Sequence, residues 1–168
     1  MKVTNAGVPV EILIDTVKEA VQRAGVSSSA SQGDLRVESV QIVLQALATK
    51  AAGGTLDFRI PFIGMNLRAG TKVTGQHTHV IDMTLKPPDR PTRAVRGNVE
   101  DALVDAIVTI RTAMVHAAAS DDPWALSAAT IDITFGVTKA GSISVGADGE
   151  LANEVTHTLR LRLTPASV

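Results

Sequence analysis

The sequence predicts an α+β chain in which one helix–strand–strand–strand unit is used twice. Each unit forms an antiparallel meander covered by its own helix, and the two repeats pack on each other. Three observations carry that expectation. Thr78-His79-Val80-Ile81-Asp82-Met83-Thr84-Leu85-Lys86-Pro87 recurs as Thr156-His157-Thr158-Leu159-Arg160-Leu161-Arg162-Leu163-Thr164-Pro165, each reading Thr-His, an apolar alternation, then Leu-x-Pro. Upstream, Leu13-Ile14-Asp15-Thr16-Val17 parallels Leu103-Val104-Asp105-Ala106-Ile107, and Thr49-Lys50-Ala51 parallels Thr138-Lys139-Ala140. An internal repeat in conserved order means one supersecondary unit built twice. The strand segments also alternate apolar and polar residues, so each sheet buries one face and a helix suffices to cover it.

The first helix opens at Pro9, whose missing N–H costs nothing in a first turn. Leu13, Val17, Ala20, Val21 and Ala24 then form one apolar stripe, and Gly25 is a natural stop. A Ser-rich loop, 27–34, leads to a strand with Val40, Ile42 and Leu44 on one side and Gln41 and Gln45 on the other. After a turn at Gly53-Gly54, Leu56, Phe58 and Ile60 share a strand face, and Pro61 marks an edge or exit. A Gly-containing hairpin loop, 64–75, precedes the closing strand, where His79, Ile81, Met83 and Leu85 share a face.

In the second copy Asn98 is a candidate N-cap, and Leu103, Ile107, Ile110 and Met114 form the main helical stripe. Ile131, Ile133, Phe135 and Val137 alternate with Thr130, Asp132 and Thr134; Ile143 and Val145 make a short strand; Leu159, Leu161 and Leu163 close the unit. Val104, Val108 and Val115 add a second apolar strip to this helix, which predicts that they line the interface with the first repeat. The domains are therefore 1–87 and 99–168, joined by a Pro/Arg-rich linker, 88–98. An extended path through that linker would align Arg90, Arg93 and Arg96 as a candidate contact for an acidic partner, although a solvated semi-rigid spacer explains them as well.

Composition narrows the function. Residues are 45% hydrophobic, yet the only aromatics are Phe58, Phe62, Phe135 and Trp124, so stacking platforms for single-stranded nucleic acid are lacking. A formal net charge of −1 supplies no field for phosphate backbones. There is no cysteine, hence no disulfide, thiol catalysis or cysteine metal site. Neither a signal-length apolar run at the start nor a membrane-length apolar stretch occurs, and a cytoplasmic protein with no membrane partner is expected.

The search for chemistry returns little. His77 and His79, two apart on a strand, would face the same side and could share a metal with a carboxylate such as Asp82. Against this, His79 continues into an apolar face and the second copy keeps only His157, so hydrogen-bonded histidines at the rim of each core are expected. The 64–72 segment lacks the glycine spacing and following helix of a phosphate loop, and 146–150 has too few acidic positions for calcium. No Gly-x-Ser-x-Gly elbow is present. No catalytic residue, metal or cofactor is assigned.

The unit from Pro9 to Pro87 resembles the trypsin-co-occurring domain family, second class. The resemblance rests on Ser39-Val40-Gln41-Ile42-Val43-Leu44-Gln45, Ala48-Thr49-Lys50-Ala51-Ala52-Gly53-Gly54, Phe58-Arg59-Ile60-Pro61-Phe62-Ile63-Gly64, and Thr78-His79-Val80-Ile81 running to Leu85-Lys86-Pro87. The second unit matches more loosely, through Ile131-Asp132-Ile133, Thr138-Lys139-Ala140 and Thr156-His157-Thr158-Leu159. The resemblance implies a small non-catalytic adaptor in a bacterial conflict system, found with a trypsin-like protease or a signalling NTPase as effector. It offers no catalytic residues, and this chain departs from the pattern by carrying two units and no fused effector. The expected function is a protein-interaction adaptor whose partner is another protein or a second copy of itself. The alternatives are a self-assembling fibre or shell subunit and, more weakly, a small-ligand binder.

Overall fold

One strand organises the molecule. The computed structural model describes residues 1–2, 4–24, 35–50, 56–67, 70–86, 101–118, 127–145, 151 and 154–165. In chain order these form β1 (Val8–Pro9), α1 (Val10–Arg23), β2 (Leu35–Lys50), β3 (Leu56–Ile60), β4 (Asn66–Leu67), β5 (Thr71–Lys72), a 3-10 turn (Gly75–His77), β6 (His79–Leu85), α2 (Asp101–Ala118), β7 (Ala129–Val137), β8 (Ile143–Val145) and β9 (His157–Pro165). At 16 residues β2 is far longer than β7, and three strands are hung on it.

Residues 40–46 of β2 pair antiparallel with β6, and residues 47–50 with β3. Residues 35–43 pair antiparallel with β9, which in turn pairs with β7, and β7 with β8. Val40, Gln41, Ile42 and Val43 have partners in both β6 and β9, so those two strands lie on opposite edges of β2. The result is an α+β fold with one seven-stranded antiparallel sheet, not two separate meanders. The physical reason lies in β2: β6 covers one edge only, and the backbone groups of the other edge need partners, which β9 supplies.

Pairing registers in the two halves correspond. Ile42 faces Met83, Leu44 faces Ile81 and Ala46 faces His79. In the other half Ile131 faces Leu161, Ile133 faces Leu159 and Phe135 faces His157.

Both helices cover the same side of the sheet. Leu13, Val17, Ala20 and Val21 of α1 and Leu103, Val104 and Ile107 of α2 join Ile42, Leu44, Ile133, Phe135, Leu159 and Leu161 in one continuous core. Arg23 and Asp101 bridge the helices at 2.7 Å. A smaller cluster of Leu47, Met65, Val73 and Val155 sits at the C-terminal end of β2, with Phe62 and Leu67 packed against it. Adjacent strand residues point to opposite faces, so the burial of both Ala46 and Leu47 marks where the sheet is covered on both sides.

The three valines expected to line the contact with the first repeat fall in different surroundings. Val104 is buried, but Val108 and Val115 remain 40% and 36% exposed. The halves meet instead through strand pairing, so the helix needs only its Leu103–Ile107 side against the core. The neighbouring strip looks outward.

Candidate interaction surface

The side of the sheet away from the helices carries an ordered polar row. Arg160 on β9 donates from Nε and Nη2 to the two carboxylate oxygens of Asp132 on β7, at 2.6 and 2.9 Å. Its Nη1 reaches Oε1 of Gln41 on β2 at 3.4 Å, and Gln41 Nε2 donates to both oxygens of Asp82 on β6, at 2.8 and 3.0 Å. The row thus crosses four strands and both halves of the chain. The hydrogen bond from Arg160 is the main cause holding the Asp132 carboxyl below its ordinary range, and Asp132 in turn raises Arg160. One step along the strands, Arg162 pairs with Glu38 of β2 at 2.9 Å.

Arg160 and Arg162 read as guards of an exposed edge when β9 is taken as an outer strand. In the fold β9 is central, and both arginines stand on its solvent face among partners from the neighbouring strands. Cross-strand charge pairs of this kind contribute modestly to stability, but bidentate ones fix side-chain geometry.

One end of the sheet is closed by a clasp. The β4–β5 hairpin folds back on the sheet, and Glu154 from the second half receives the Gly64 N–H at 2.8 Å and the Lys72 ammonium. Burial, the largest influence on Glu154, pushes its carboxyl up; the Lys72 and Gly64 bonds outweigh it and hold the group below its usual value. Ile63 N–H donates to the Val137 carbonyl at 2.7 Å, bringing the two chain segments so close that a Cβ on Gly136 would stand 2.9 Å from Ile63 Cδ1.

Inside, His157 is 1% exposed and packs beside Phe135 with ring centroids 5.4 Å apart. Its Nδ1 accepts the backbone N–H of Gln45 at 3.2 Å, which leaves the proton of the neutral ring on Nε2. Nε2 has no hydrogen-bond partner among the described residues. Burial pushes the imidazole down to about 4, so it is neutral at physiological pH.

His77 and His79, weighed in the sequence as a weak metal-sharing pair, sit in different local structures. His77 ends a 3-10 turn and its Nδ1 is 3.0 Å from the Thr74 hydroxyl, whereas His79 starts β6 and meets Phe58 edge-on at 6.4 Å. His79 is exposed and His157 is buried, so of the two only His157 is a core residue. Among the described residues no group of three or more His, Asp or Glu is placed to hold a metal. Arg90, Arg93 and Arg96, with the whole linker, lie outside the described residues. The polar row and the Glu154 clasp were not singled out from the sequence. Opposite charges at outward positions of β7 and β9 were the available signal.

Residues 8–87 match the model of the trypsin-co-occurring domain 2 family. No curated protein and no solved structure matches the chain. No helix among the described residues is long and apolar enough to cross a membrane.

Proposed function

We propose that this chain is a cytoplasmic, non-catalytic adaptor of a bacterial conflict system. It presents the helix-free face of its sheet to a protein effector, either a trypsin-like protease or a signalling NTPase. The observation that carries the reading is the family match over residues 8–87, a domain named for its co-occurrence with trypsin. The match ends within the sheet, because β9 from the other half completes the strand pairing of β2. We read that other half as a divergent second copy of the same unit. Equal register across β2–β6 and β7–β9 supports this, as do the repeated Thr-His strands.

An adaptor needs a rigid surface with specific geometry more than it needs reactive groups. The four-strand row from Asp82 to Asp132 is such a surface, since its charges are already oriented by one another and need little ordering on binding. Affinity capture from the native cell by the wild-type chain and by Thr134→Arg, followed by mass spectrometry, tests the reading. Thr134 is exposed on this face, so the substitution leaves the fold intact while obstructing the surface. A protease or NTPase recovered by the wild type and lost with Thr134→Arg is the expected result. Recovery of neither effector by the wild type overturns the reading.

A further inference from the structure

Among the described residues β1, β8 and β6 each have a single neighbour, and residues 129–134 of β7 run on beyond β8 with partners in β9 alone. Exposed edges invite pairing with another chain, and proteins blunt them by shortness, proline, bulges or inward-pointing charge. β1 is two residues long and contains Pro9, and β8 is three residues long. β6 has none of these protections. It runs for seven residues without proline and pairs with β2 in unbroken register. Its helix-side row, Ile81, Met83 and Leu85, is uncharged and only half-buried, and Val80 on the other face is 67% exposed.

We propose that β6 is the interface of a two-fold dimer, in which the strand pairs antiparallel with β6 of a second copy. The proposal is independent of the adaptor reading. The strand is self-complementary: an antiparallel pairing that keeps the apolar rows together sets Ile81, Met83 and Leu85 of one copy beside those of the other.

Charge and overlap together select the register. A two-fold axis at Asp82 sets two carboxylates directly opposite, and an axis at Ile81 leaves Asp82 without a cation. An axis at Thr84 sets Asp82 directly opposite Lys86, but it confines the pairing to residues 82–86 and leaves Val80 uncovered. With the axis at Met83, Asp82 faces Thr84, Ile81 faces Leu85, and Val80 is covered by the stem of Lys86. The Lys86 ammonium then lies diagonally from Asp82 of the other copy, within reach for a cross-strand pair. Gln41, which binds both oxygens of Asp82, draws each carboxylate toward β2 of its own chain and away from the Asp82 carboxylate of the other copy. A two-fold pairing uses the β6 edge of both copies at once, so the assembly closes at two chains.

The chain has no cysteine, so single cysteines placed along β6 report the pairing without background. Sedimentation and light scattering of the full chain over a wide concentration range should show a monomer–dimer equilibrium with no larger species. Among Val80→Cys, Ile81→Cys, Asp82→Cys, Met83→Cys and Thr84→Cys, a short thiol–thiol cross-linker should join chains best at Met83→Cys. Asp82→Lys or Lys86→Asp alone should weaken dimerisation several-fold, and the two together should restore it, which separates an interface effect from damage to the fold. A chain monomeric at every concentration overturns the proposal, as does maximal cross-linking at any of the other four positions.

Discussion

The backbone N–H of Gln45 donates to Nδ1 of His157, 112 residues further along the chain. At this point β9 begins on the edge of β2, and an imidazole takes the place of a strand carbonyl. Because Nδ1 must accept and Nε2 is buried, the ring is held neutral and its folded value, about 4, lies below the 6.5 of an unfolded chain. The unfolded state therefore binds more protons as pH falls.

Stability from His157 is thus complete above pH 6.5 and declines as pH drops toward 4, by about 3 kcal/mol in all. Denaturant unfolding between these limits should show that slope in the wild type. His157→Asn, which keeps an acceptor for Gln45 without a titrating ring, should be flat across the same window. An equal slope in both chains would remove His157 as its source.

The faces of β7 provide a second comparison. Ile133 is 4% exposed in the core, and its neighbour Thr134 is exposed on the opposite face. Ile133→Asp buries an unpaired charge and should unfold the whole chain, since β7 is joined through β9 to β2. Thr134→Asp should leave the melting temperature nearly unchanged. Far-ultraviolet circular dichroism on heating distinguishes the two.

Helix α2 yields a third prediction, and it reverses the expectation drawn from its valine strip. Ile107 is fully buried, so Ile107→Ala should cost roughly 2–4 kcal/mol. Val108, at 40% exposure, should cost little on truncation to Ala, because little burial is lost and Ala favours helix. Chemical denaturation of both variants checks the ranking.

How far the sequence revealed this arrangement depends on the range of the interaction. Period-two alternation correctly placed Ile131, Ile133 and Phe135 inward, and the i, i+4 spacing correctly set Leu13 and Val17 of α1 in the core. Both patterns are local consequences of backbone geometry. Which strands pair is not local. Leu161 faces Val40 across more than a hundred residues, and nothing in either segment names the other. The length of β2 was hidden as well, because its last stretch, Ala46 to Lys50, carries one large apolar residue, Leu47, on the face opposite Ile42 and Leu44. Arg160 and Arg162 do not reveal from the sequence that β9 is central, because a charge on the open face of a central strand and one on an outer strand have the same pattern. The strip containing Val108 illustrates the converse: apolar residues on a helix surface do not require a partner.

The central claim is that both halves form one sheet and fold as one unit. Calorimetry of the full chain tests it with two core truncations, Ile42→Ala in β2 and Leu161→Ala in β9, both at fully buried positions. Each should cost roughly 2–5 kcal/mol. The account predicts a single transition whose midpoint both variants lower. Two transitions, with Ile42→Ala moving only one and Leu161→Ala only the other, would contradict it.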